Sequence, residues 1–143
     1  MMQRLLLAAM AAVAPWFPWG AVAQEIDQSL QLRAGQALFA QHCATCHGAD
    51  ATGAGPMAPS LLVQPKDLTE LAARNADVFP VARVVHRIDG RDPLVSHGSA
   101  MPVYGNFFEG DDTALKLDTG QPIMTSRSIA DLVVFLKAIQ GSS

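Results

Sequence analysis

The chain has 143 residues, enough for one domain. Its 10 basic and 13 acidic side chains leave a formal charge of −3, which argues against the basic surface that nucleic-acid binding requires. Both of its cysteines fall in one five-residue stretch, where a disulfide across two intervening residues would be a redox motif.

The N-terminus reads as a secretory leader. Met1-Met2-Gln3-Arg4 is a short positive region, Leu5 to Ala14 is an unbroken apolar run, and Ala21-Val22-Ala23 is a small-x-small site before Gln24. Cleavage after Ala23 divides the chain into a leader, 1–23, and a mature domain, 24–143. An uncleaved anchor is the alternative, because no charge falls between Leu5 and Ala23. Pro15 and Pro18 would break a spanning helix there, and no cysteine follows the run to take a lipid. The mature domain is small for burying a core unaided, so a bound apolar cofactor would supply missing interior.

Ser29 to His42 reads as a helix capped by Ser29, with Leu30, Ala34, Ala37, Leu38 and Gln41 at three- and four-residue steps and Phe39 beside them. Gly35 inside it costs about 1 kcal/mol against Ala, which points to a close contact with another helix. Gly48 to Leu62 is a loop rich in Gly and Pro. Asp67-Leu68-Thr69-Glu70 has capping-box spacing and opens a short helix ending near Asn75. Pro80 sits where the first residue of a further helix would and Gly90 where its stop would, with Val81, Val84, Val85 and Ile88 as its apolar stripe and Arg83 and Arg87 facing elsewhere. Arg91 to Met124 reads as a long irregular loop, with at most a short strand around Leu115-Lys116-Leu117. Ser126 or Ser128 begins a last helix that buries Ile129, Leu132, Val133, Leu136 and Ile139. No internal repeat and no extended strand pattern is visible.

Cys43-Ala44-Thr45-Cys46-His47 is the attachment signature of c-type haem. Two thiols at this spacing add across the two vinyl groups, and the following His is held under the iron. The competing reading is a thioredoxin-like redox pair with an incidental His. Against it, the motif follows a helix rather than a strand, comes behind a leader and precedes a Gly-Pro loop.

A second axial ligand must come from elsewhere, and a thioether would raise the reduction potential. The candidates are Met57, Met101 and Met124, with His42, His86 and His97. Met101 is preferred, because Pro102 stiffens the chain beyond it and Gly98 and Gly105 let the backbone lie close. His97 is its rival. Met124 reads as core packing, Met57 as core or surface packing, and His42 and His86 as solvent-facing. Arg83, Arg87 and Arg91, spaced by four, form a solvated face from which one of them, Arg87 in particular, could pair with a propionate. The Tyr104 hydroxyl is placed to do the same.

These residues resemble class I c-type cytochromes, the small bacterial monohaem kind, over most of the mature chain. Gly35-x-x-x-Phe39 before the haem motif resembles the family's first helix, with Leu132, Val133, Phe135 and Leu136 facing it from the last. Gly53-Ala54-Gly55-Pro56 to Pro59-Ser60-Leu61 resembles the proximal loop, and Met101-Pro102-Val103-Tyr104-Gly105 the distal segment. The resemblance implies an all-α cytochrome c fold, with three to five short helices around one covalent haem c and the terminal helices crossing. It implies His47 and Met101 on the iron. It also implies a loop proline carbonyl that orients His47, placed at Pro59 with Pro56 as the alternative. Asn106 to Met124 departs from the family by its length and its acids, Glu109, Asp111, Asp112 and Asp118.

With both axial positions filled, the expected function is a periplasmic single-electron carrier without a stable membrane anchor. Its partners would be larger redox proteins: a quinol-oxidising complex, a terminal oxidase or a periplasmic dehydrogenase. The alternatives are a dedicated cytochrome subunit of such a complex and, behind it, a haem enzyme or gas sensor.

Overall fold

The computed structural model describes residues 19–92 and 101–141. Most of the expected leader lies outside them, as do His97 and Gly98.

Helix α1 spans Trp19–His42. It begins well before Ser29, whose hydroxyl donates to the Ile26 carbonyl from inside the helix and caps nothing. Beyond Pro18 the helix sequence contains no proline, and Ala, Gln and Glu propagate it. Its expected apolar stripe is displaced. Leu30 is 58% exposed, and Ala37 and Gln41 are also exposed, while Gly35 and Phe39 are buried and Leu32 and Leu38 pack beside the core.

The partner that selects this face is α4, Arg127–Ala138. The Ser126 hydroxyl caps it by accepting the Ile129 N–H. Ile129, Leu132, Val133, Phe135 and Leu136 are buried, and the Phe39 and Phe135 rings meet at 5.1 Å. Gly35 sits at the contact, as its position inside a helix foretold. The backbone opposite is that of Asp131, with Phe135 beside it.

Asp131 is buried in this interface, and its Oδ1 has no hydrogen-bond partner among the described residues. Burial raises its carboxyl above the ordinary 3.8, Arg127 acts in the opposite direction, and Asp27 adds to the rise. The folded chain therefore holds this proton more tightly than the unfolded chain does. The stabilising contribution of the neutral acid is complete below the ordinary value and is lost as pH rises through the folded one. Asp131→Asn is accordingly expected to melt higher than wild type near neutral pH, with the gap closing toward about pH 4. Thermal melts of both proteins across that range check the sign.

Helix α3, Val81–Asp89, carries the expected stripe: Val81, Val84, Val85 and Ile88 are buried, with Val85 at the centre of the core. Gly90 ends it with a φ of +86°. His86, read as solvent-facing, is half-buried.

Residues 67–75 do not form the expected α-helix. The Asp67 carboxylate does accept the Thr69 N–H at 2.8 Å, but only turns and a 3-10 helix, Ala73–Asn75, follow. The segment just past α4 takes the backbone groups that a helix would have used. The Gln140 amide donates to the Leu68 carbonyl and accepts the Ala72 N–H, and the Gly141 N–H goes to the Thr69 carbonyl.

The region expected to be irregular contains an antiparallel hairpin, β1 at Asp112–Lys116 and β2 at Pro122–Ser126. Thr113 pairs with Thr125 and Leu115 with Ile123. Leu115, Leu117 and Ile123 pack on the core, and Thr125 is buried. Met124 points away and is 55% exposed, so it is not core packing. Strand alternation decides this, since Met124 lies between the two inward residues of β2. The packing is otherwise helix on helix, and the fold is mostly helical.

Candidate haem site

Cys43 follows the last residue of α1, and the next four residues, Ala44–His47, form a single helical turn, α2. The N–H groups of Cys46 and His47 both point to the Cys43 carbonyl. The carbonyls of Thr45, Cys46 and His47 are taken up by the N–H groups of Met57, Gly55 and Gly53. The Gly-Pro loop thus folds back on the motif and satisfies the carbonyls that a helix end leaves open.

Cys43, Cys46 and His47 face a cavity of about 750 Å³. Its walls are mostly apolar, with Phe39 from α1, Leu68 and Leu71 from the connecting segment, Val84 and Ile88 from α3, and Leu132 and Leu136 from α4. Met101 lines the same cavity, together with Pro102 and Tyr104. Arg74, Arg83, Arg87 and Lys66 also border it, against one acid among the described residues, Asp92.

The His47 Nδ1 lies 3.1 Å from the Lys66 carbonyl. An oxygen acceptor there places the ring proton on Nδ1 and leaves the Nε2 lone pair for a metal. Burial holds the imidazole below its ordinary 6.5, against a smaller opposing effect of the Lys66 carbonyl. The neutral ring is the form that ligates. Burial and the neighbouring Cys46 push the Cys43 thiol up to about 11. Redox dithiols hold their attacking thiol low, so this environment is wrong for a thioredoxin-like pair.

The orienting carbonyl was expected at Pro59, and the structure has Lys66 instead. Pro59 lies exposed in a 3-10 helix, Ala58–Ser60, and Gln64 ties down that turn by donating to the Ala58 and Leu61 carbonyls. The chain then follows the cavity rim and delivers Lys66, just after Pro65, to the imidazole. A loop proline next to the orienting carbonyl was the available signal, and only the loop's path shows which one.

The cytochrome c family model matches residues 32–140. The chain belongs to the cytochrome c family. No match was found among curated proteins or among solved structures. As a member of this family, the protein binds haem c covalently, with its iron, and acts in electron transfer.

The residues of this cytochrome fit that group. Its cavity is within the range of cofactor sites, about 300–1,000 Å³. Two thiols and an imidazole stand on one stretch of its wall, the rest is largely apolar, and the cations at its border suit carboxylates.

The other expected site residues are placed as follows. Arg87 borders the cavity but already faces Asp92 at 3.5 Å, so any propionate contact is shared with that acid. The Tyr104 hydroxyl, expected at a propionate, donates to the His42 carbonyl at 3.0 Å. Burial keeps this phenol above its ordinary 10.0 and hence a neutral donor. His42, expected in solvent, packs edge-on against Phe107 and Phe108 at 4.8 and 5.4 Å. Met57 is 46% exposed and outside the cavity wall. Among the wall residues that sequence reading missed are Leu68 and Leu71, whose apolar spacing in a segment read as a short helix was the one hint.

Proposed function

We propose that this cytochrome is an exported single-electron carrier whose iron ligands are His47 and Met101. One observation carries the reading: Met101 lines the same cavity as the two thiols and His47. When bound, haem supplies a one-electron ferric/ferrous couple. The chain's part is to hold it covalently at Cys43 and Cys46, to orient His47 through Lys66 and to keep water from it with apolar walls. A thioether at Met101 favours the ferrous state and raises the potential. With His47 and Met101 both holding the iron, the chain would leave it no free position for a substrate, which supports a carrier rather than an enzyme. Its partners are larger redox proteins, such as a quinol-oxidising complex, a terminal oxidase or a periplasmic dehydrogenase. Export rests on the leader motif, 1–23. No helix among the described residues is long and apolar enough to cross a membrane.

The oxidised wild-type protein is expected to show the weak long-wavelength charge-transfer band of a sulfur-ligated ferric haem. Met101→Ala should abolish that band and lower the reduction potential. Survival of the band in Met101→Ala would overturn the assignment.

A further inference from the structure

Placing Met101 on the iron raises the question of what holds it there. The backbone beyond it is fastened to the end of α3. The Tyr104 N–H donates to the Ile88 carbonyl at 2.8 Å, and the Phe108 N–H donates to the Tyr104 carbonyl at 2.9 Å. Gly105 lies so close to Asp89 that a Cβ there would sit 3.2 Å from its carbonyl carbon. Pro102 fixes one of the few dihedrals between Met101 and this anchor.

The Tyr104 side chain reaches the opposite way. Its hydroxyl donates to the carbonyl of His42, the last residue of α1 and the neighbour of Cys43. That carbonyl is among those a helix end leaves without an intrahelical donor. The Tyr104 ring is stacked on Phe108 at 5.5 Å, which limits its swing. The phenol therefore spans from the Met101 segment to the segment that carries the first haem thiol.

We infer that Tyr104 is the positioning residue for Met101. Its hydroxyl is a strut that sets the distance between the Cys43 end of α1 and the distal arm, and so keeps the Met101 sulfur from leaving the iron. This inference rests on the Met101 reading and adds to it the group that makes the ligand hard to displace.

Imidazole titration of the ferric holoprotein tests the strut, because imidazole enters only when the thioether leaves. Tyr104→Phe keeps the ring and its packing and removes only the donor. It should bind imidazole about fivefold more tightly than wild type, the weight of one ordinary hydrogen bond. Ile129→Val serves as the comparison, since it trims a buried side chain of the α1–α4 core and lowers global stability. It should leave imidazole affinity unchanged. An unchanged affinity in Tyr104→Phe overturns the strut, and so does an equal rise in both variants. A wild-type protein without the sulfur charge-transfer band overturns the Met101 reading, and the strut with it, before imidazole is added.

Discussion

Replacing both haem thiols, Cys43→Ser with Cys46→Ser, is expected to yield a chain that loses its haem to acidified organic solvent and does not hold its fold. The first outcome follows from chemistry, because a serine hydroxyl forms no thioether. The second follows from the cavity. About 750 Å³ lies between Phe39, Val84, Ile88, Leu132 and Leu136. An apolar void costs roughly 24 cal/mol per Å³, so emptying all of it would cost on the order of 15–20 kcal/mol. Water would fill the open part, yet even half that figure rivals the roughly 5–15 kcal/mol by which a domain is stable. The covalent haem is therefore the middle of the core rather than a guest in a finished one. Solvent extraction of haem and far-UV circular dichroism check the two outcomes separately. Haem-loaded double variant at full yield would refute covalent attachment.

Gly35→Val is expected to be the most damaging single substitution in the α1–α4 interface. A Cβ at position 35 would overlap the Asp131 carbonyl oxygen and lie 2.6 Å from its carbon and 2.9 Å from the Phe135 Cβ. Two of these three atoms are backbone, so no rotamer change relieves the clash. The helices must move apart, and the Phe39–Phe135 contact opens with them. Overpacking of this kind costs about 1–3 kcal/mol, sometimes more, and the branched side chain adds a second contact to relieve. At roughly 4 °C per kcal/mol for a domain of this size, the melting temperature should fall by about 4–12 °C. The holoprotein is the form to melt. A midpoint within a degree or two of wild type would mean that the helices tolerate separation at this point.

The two expectations differ in how they could be read. Gly35 was legible as a contact from the cost of a glycine inside a helix, and Phe135 of the last helix was expected opposite it, but Asp131 was not. Leu132, Val133, Phe135 and Leu136 are apolar and were the natural candidates. The nearest atoms belong to the backbone of Asp131, a residue whose charge would place it on the surface. The stripe of α1 was misread for a related reason. Leu30 has the right spacing but no neighbour, and exposure follows the neighbour.

The hairpin was hidden because β1 and β2 each offer only two inward side chains, one of them a threonine. The connecting residues, 117–121, also lack the short turn motif that announces a hairpin. By contrast, α3 was read to within one residue at its start and correctly at its glycine stop. Its stripe is complete, and both its proline start and its glycine stop are local signals.

What the sequence determined by itself is the chemistry that five consecutive residues can hold. Cys43, Cys46 and His47 are set by covalent spacing, so reading them as a haem attachment site, with His47 proposed for the iron, needed no fold. The tertiary structure decided everything joined across the chain: Lys66 rather than Pro59 behind His47, Asp131 against Gly35, and the Tyr104 hydroxyl on His42. Each of these contacts ends on a backbone carbonyl. Every residue carries one, so no side-chain identity marks which will be used, and only the path of the chain selects it.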